Sequence, residues 1–299
     1  MEIKRILAAA DFSETSDKAI KQAMIISRKY DAELVVLHAR VLHDDDPSKM
    51  PEEIEKLKIE ERKNEENLLS CVQKCTEDYE HSKLRHEIIR GYSAHSAILR
   101  YLSENEYDLV VVGTHGRSGL GYFFLGSVAE KIVRYSPYPV LTVSRETAAE
   151  ENIGHIIVPF DYSAQSEDAL QSALMLADKN AVLDLVYVID KDVHPAQYAW
   201  GMKSIKEVVP DIVLKAEREM DRIIAEKENP NEVSVRKHIL EGKPAKILTN
   251  FINNSGCNLV LASTHGLVGL DRFLLGSTTE QLIRSVHKPI LTLKHRNLI

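Results

Sequence analysis

The sequence has few cysteines: Cys71, Cys75 and Cys257 are the only ones in 299 residues. An odd, small number of thiols excludes a disulfide framework and suits a reducing compartment. No apolar run approaches the roughly 18 residues of a membrane-spanning helix. The opening Met1-Glu2-Ile3-Lys4-Arg5-Ile6-Leu7 is too short an apolar stretch for a signal peptide. The expectation is a cytoplasmic protein with no membrane partner. Cations are also scarce, 38 Lys and Arg against 45 Asp and Glu, for a net charge of -7. That balance argues against a broad nucleic-acid surface, which needs clustered cations to displace counterions. Catalytic signatures are missing as well. There is no Gly-Lys-Ser/Thr phosphate loop, and no metal triad, carboxylate pair or nucleophile–base pair at recognisable spacing. No catalytic residue and no resident metal ion are therefore expected.

What remains is an ordinary globular composition, 44% hydrophobic and 28% charged, with one strong internal feature. Asp11-Phe12-Ser13 returns as Asp161-Tyr162-Ser163, and Thr114-His115-Gly116 as Thr264-His265-Gly266. Phe124-Leu125-Gly126-Ser127 returns as Leu274-Leu275-Gly276-Ser277, and Pro139-Val140-Leu141-Thr142 as Pro289-Ile290-Leu291-Thr292. All four pairs share an offset of 150 positions. Solenoid units run about 20–50 residues, so this period describes a duplicated domain, with residues 1–146 and 152–299 as its copies. The polar stretch between Arg145 and Asn152 is the joint.

Each half reads as the same alternation. In the first, strands are expected at Ile3–Ala10, Leu34–Ala39, Leu84–Ile89, Leu109–Gly113 and Val140–Val143. Helices are expected after Ser13 or Ser16, from Pro51 to about Tyr79, over Ser93–Leu102 and from Gly126-Ser127. In the second half the strands fall near His155–Pro159, Leu183–Ile189, Val233–Leu240, Leu259–Ala262 and Ile290–Leu293. Such alternation predicts an α/β fold, a parallel sheet with helices on both faces. Ligands of these sheets sit beyond the carboxyl ends of the strands, where strand order switches. Asp11 and Gly113 both follow strands directly and share that edge.

The loop after the fourth strand carries the chemistry. Gly113-Thr114-His115-Gly116 is followed by nine residues and then Gly126-Ser127-Val128. The glycines permit positive φ and close approach of a ligand. Gly126-Ser127 opens a helix, whose N-terminal N–H groups and partial positive charge suit phosphate. The Ser127 hydroxyl can cap that helix or donate to a phosphate oxygen. Arg117 is the loop's one cation and can offset polyphosphate charge. Asp11 is either an acceptor for a base or sugar or the cap of the following helix.

This Gly-x-x-Gly, nine-residue, Gly-Ser pattern resembles the ATP-binding loop of the universal stress protein family. Pro139-Val140-Leu141-Thr142-Val143 is similar to that family's last strand, and Val158-Pro159-Phe160-Asp161 to its opening Val-Pro-x-Asp. The resemblance runs once through each half. It implies two similar open, parallel five-stranded sheets, Rossmann-like and of the adenine nucleotide alpha hydrolase-like kind. It also implies ATP, or ADP or AMP, as ligand, with or without Mg2+. Asp11 and Ala39 would meet the base, while Gly113, Gly116, Arg117, Gly126, Ser127 and Val128 would surround ribose and phosphates. The second half's counterparts are Asp161, Val188, Ser263, Gly266, Gly276, Ser277 and Thr278. Pairing of the fifth strands would make an intramolecular pseudo-dimer, with a homodimer and an unidentified protein partner as further partners. Two departures stand out: Ala9 replaces the usual proline, and Ser263 replaces the first glycine. The second loop has no cation matching Arg117, and it adds Asp271.

Three functions are compatible with these residues: a nucleotide-binding regulatory module of the stress response, a slow ATPase or nucleotide-linked enzyme, and a scaffold without nucleotide. The glycine loop favours the first. His115 and His265 read as loop residues. Cys71 and Cys75, four apart on one helix face with His81 near, could ligate zinc, but without a second ligand pair they read as structural.

Overall fold

The computed structural model describes residues 3–41, 50–76, 83–114, 125–147, 151–190, 210–263 and 275–294. Contacts divide the chain into two units, Glu2–Glu151 and Asn152–Ile299.

In the first unit the order is β1 (Arg5–Ala10), α1 (Glu14–Tyr30), β2 (Glu33–Val41), α2 (Met50–Thr76), β3 (Leu84–Gly91), α3 (Ala94–Glu104), β4 (Leu109–Gly113), α4 (Ser127–Tyr135) and β5 (Val140–Val143). Its strands lie in the order β3-β2-β1-β4-β5, and every pairing is parallel. Ile6, Leu7, Leu34, Val36, Val110 and Val111 are fully buried, as expected of parallel strands covered on both faces. Helices α1 and α2 pack on each other, as do α3 and α4, and all four contact the sheet.

Helix starts follow local chemistry. Ser13 Oγ accepts from Ser16 N at 3.2 Å and Ser93 Oγ from Ser96 N at 3.3 Å, so each serine satisfies an otherwise orphaned donor. Ser16 is thus the donor of the first cap and not the cap itself. Helix α2 reaches Thr76, and Tyr79 lies outside the described residues. Leu68, Cys71, Val72 and Cys75 are its buried stripe. Leu69, next to Leu68 in sequence, is exposed.

The second unit repeats the scheme: β6 (His155–Phe160), α5 (Ala164–Leu176), β7 (Val182–Asp190), α6 (Pro210–Ala225), β8 (Ser234–Gly242), α7 (Pro244–Asn253), β9 (Leu259–Ser263), α8 (Ser277–Ser285) and β10 (Ile290–Leu293). Its order is β8-β7-β6-β9-β10, again with parallel pairings. The fold is α/β and Rossmann-like. Among the described residues no helix is long and apolar enough to cross a membrane.

Candidate functional site

In the first unit the chain runs outward from β1 through β2 to β3, then returns to place β4 on the other side of β1. Ile6 pairs with Leu109 and Ala8 with Val111. The segments that leave β1 and β4 therefore diverge at the carboxyl edge, and a crevice opens between them. A cleft of about 350 Å³ lies there, lined by Ala9, Ala10, Asp11, Ser16, His38, Ala39, Gly113, Gly126, Ser127 and Val128, with Ala94, Ile98, Val112 and Ala129 completing the wall. That volume falls within the range of small-molecule sites, about 300–1,000 Å³. Of the residues named for the first half, Asp11, Ala39, Gly113, Gly126, Ser127 and Val128 are brought together. Gly116 and Arg117 lie outside the described residues, as do His115, His265 and Asp271.

The cleft wall around Asp11 is built on a tight turn. Phe12 takes a left-handed φ of 64°, and Asp11 Oδ1 accepts from Ser13 N at 3.0 Å. The helix cap belongs to Ser13, so Asp11 does not cap α1; its carboxylate holds the turn at the cleft wall. The Phe12 ring lies 4.3 Å from that of His38. His38 is 8% exposed, and its Nδ1 lies 2.8 Å from the Ala10 carbonyl oxygen. A carbonyl only accepts, so Nδ1 carries the proton. The sequence pattern assigns His38 no role; its one signal is a polar residue within the apolar run Leu34–Ala39.

Another wall of the cleft is the start of α4. Its N-cap is Gly126, and no side chain caps the helix. Ser127 is the first helical residue and is exposed, so the capping role considered for its hydroxyl does not occur. The first-turn N–H groups of α4 thus have no side-chain cap and open on the cleft, an arrangement that attracts anions. Gly126 N donates to Thr114 O at 2.7 Å, tying the two ends of the glycine loop together. Gly126 has φ of -58°, accessible to any residue, so positive φ is not the reason for this glycine. Nor is Gly113 left-handed: among the described glycines only Gly242 is. A Cβ on Gly113 would meet Thr15.

In the second unit Asp161 follows β6 beside β9, and its Oδ1 accepts from Ser163 N at 3.0 Å and also from the Ser163 hydroxyl. Ser163 caps α5 through Ser166 N. Asp161 is therefore not the cap either. Gly276 is the N-cap of α8, again without a side-chain cap, and Ser277 and Thr278 follow it. Ser263 is absent from the left-handed residues, so serine meets no backbone obstacle there; its carbonyl accepts from Thr279 Oγ1 at 2.8 Å. Gly266 lies outside the described residues.

The strand ends beside this turn differ more. Ala10 pairs with His38 in β1–β2, whereas Phe160 pairs with Tyr187 in β6–β7. Tyr187 thus stands where His38 does, and Val188 where Ala39 does. Pro159, Phe160 and Val188 occupy the places of three cleft-lining alanines, Ala9, Ala10 and Ala39. Tyr162 packs edge-on against Phe160 at 5.0 Å and Tyr187 at 4.8 Å. Burial holds both tyrosine hydroxyls above their ordinary range, so they stay protonated.

The family model described as "Universal stress protein family" matches residues 2–144 and again 152–294. The chain belongs to the universal stress protein family. It is 28% identical over 143 residues to Universal stress protein MJ0531 of Methanocaldococcus jannaschii, an alignment covering 46% of this chain and 81% of that one. Against Universal stress protein Rv2005c of Mycobacterium tuberculosis it is 28% identical over 195 residues, spanning 62% of each protein. The crystal structure of a universal stress protein from Archaeoglobus fulgidus superposes with a TM-score of 0.62 at 19% identity, covering 98% of this chain and 99% of that one. At that identity the likeness speaks for the fold. The tandem form of this universal stress protein explains the constant offset between its motifs.

Proposed function

We propose that this universal stress protein binds one adenine nucleotide per chain, ATP or its products ADP and AMP, in the cleft of the first unit, and that occupancy regulates a partner. The observation that carries this reading is the start of α4 without a side-chain cap, which opens on the same cleft as Asp11 and Ala39. A helix N-terminus supplies donors for phosphate. The alanines leave room for a base, and the Asp11 carboxylate is an acceptor for an amino or hydroxyl hydrogen. Arg117 and Gly116 complete the phosphate side by family resemblance. Mg2+ takes its ligands largely from phosphate and water, so no protein ligand is assigned to it.

The second unit keeps the turn and the glycine start of α8 but fills the base side with Pro159, Phe160 and Val188. We infer that it binds nucleotide far more weakly and serves as the structural counterpart of the first. Two matched copies in one chain support an intramolecular pseudo-dimer through the fifth strand of each. Residues 1–147 and 152–299 produced as separate chains then associate one to one; species that sediment independently would refute the pairing. Regulation requires that nucleotide bind two states of the protein unequally. Cys71, Cys75 and Cys257 are free thiols, which supports the cytoplasm as location.

The test is mass spectrometry of nucleotide released from denatured protein, with calorimetric titration of ATP into stripped protein. One adenine nucleotide per chain at micromolar affinity, about -8 kcal/mol, is expected. Two per chain would overturn the assignment of the second unit. No bound nucleotide and no heat with ATP and Mg2+ would leave a scaffold.

A further inference from the structure

We infer that Asp17, Cys71 and Cys75 form a site for one thiophilic divalent ion of the zinc class, between α1 and α2 and independent of the nucleotide reading. Spacing alone put the two cysteines on one face of α2 with His81, which lies outside the described residues, nearby in sequence, and offered no second ligand pair. Packing supplies a third ligand. Asp17, in the first turn of α1, lies 54 positions from Cys71 in sequence, yet Cys71 Sγ is 3.1 Å from Asp17 Oδ1. Cys75 Sγ lies 3.5 Å from the Asp17 carbonyl oxygen. The two sulfurs and a carboxylate oxygen of Asp17 all fall within 4.8 Å of one another. Zinc binds sulfur at about 2.3 Å and carboxylate oxygen at about 2.0–2.2 Å, so spacings of that size close on one ion by side-chain rotation.

The surroundings suit a bound ion. Cys71 and Cys75 are 7% and 3% exposed, while the Asp17 side chain is 16% exposed and leaves one side toward solvent. Three protein ligands with water in the fourth position satisfy a tetrahedral ion. Two thiolates and one carboxylate around a divalent cation sum to one negative charge. Lys74 Nζ, 2.6 Å from Asp17 Oδ2, offsets it. Two sulfur ligands select zinc or cadmium over magnesium and calcium. Binding forms two metal–sulfur bonds and releases the two thiol protons to solvent.

The experiment titrates Co2+, then Zn2+, into the untagged, chelator-stripped full chain under reducing conditions. One Co2+ per chain with a thiolate-to-metal charge-transfer band, displaced by Zn2+, is expected. Cys71→Ser and Cys75→Ser each remove the band, Asp17→Asn weakens Zn2+ binding at least about tenfold, and Cys257→Ser changes nothing. Absence of a sulfur band in the wild-type chain, or its survival in both serine variants, overturns the site. Should those variants fail to fold, the wild-type chain still decides. Zn2+ should slow alkylation of Cys71 and Cys75, since a metal-bound sulfur is withheld from the reagent, and equal rates with and without Zn2+ overturn the inference.

Discussion

Thr15, in the first turn of α1, fills the space beside Gly113 at the end of β4: a Cβ on Gly113 would stand 3.0 Å from Thr15 Cγ2 and 3.1 Å from the Thr15 carbonyl carbon and oxygen. The glycine is therefore a packing requirement between the two segments that frame the cleft. Gly113→Ala forces backbone against backbone and should cost about 1–3 kcal/mol, as overpacking does. Urea unfolding checks this, and an unchanged midpoint would show that α1 shifts freely. Adding Thr15→Ala removes only the Cγ2 contact, so it should restore part of the loss and not all of it.

Ala39→Val puts into the first unit the residue that β7 carries at the matching register position, Val188. Two added methyl groups project into the cleft wall. Nucleotide affinity should fall at least about tenfold, which corresponds to about 1.4 kcal/mol, with the far-ultraviolet spectrum unchanged. Calorimetric affinity equal to the wild type would move the base away from Ala39.

Much of the fold was legible because buried parallel strands are short apolar runs between turn signals. The bounds of β4, β5 and β10 coincide with the runs Leu109–Gly113, Val140–Val143 and Ile290–Leu293. The edge of the site was legible too, since Asp11 and Gly113 each follow a strand. What escaped depends on register and helix packing, which local patterns do not encode. His38 enters the cleft because β2 pairs it with Ala10, and Asp17 meets Cys71 because α1 lies on α2. The glycines of the loop looked like conformational necessities, yet Gly126 and Gly113 have unexceptional φ. Only the three-dimensional neighbours show that contact, not φ, governs Gly113.

Asp11→Asn separates the two roles of this side chain. Asparagine keeps an oxygen that can accept from Ser13 N, now at 3.0 Å from Asp11 Oδ1, so the turn and the Ser13 cap survive. The carboxylate charge and its acceptor capacity toward a ligand are lost. The variant should melt within about 0.5 kcal/mol of the wild type while its preference for ATP over GTP narrows. If preference is unchanged and stability falls, Asp11 serves only the turn.

In the second unit, Asp184 on β7 gathers three donors: Arg236 Nε at 2.7 Å, His155 Nε2 at 2.7 Å and His238 Nε2 at 2.9 Å. The carboxylate is 3% exposed. Burial by itself would push its pKa up, but the hydrogen bonds from Arg236, His155 and His238 outweigh burial and hold it below the ordinary 3.8. In the folded state the group is therefore a carboxylate where the unfolded chain would already be taking up a proton. Its contribution to stability is complete above pH 3.8 and is lost as pH falls below that value toward the depressed folded pKa. Asp184→Asn removes this proton linkage. The variant should be less stable than the wild type at neutral pH, because an amide NH2 replaces one of the two accepting oxygens and the charge facing Arg236 is lost, and its stability should fall less steeply on acidification below pH 3.8. Urea midpoints measured from neutral pH into that acid range decide the matter. Parallel wild-type and variant curves through the acid range would mean that other carboxylates govern acid unfolding, and that the Asp184 cluster contributes through packing alone.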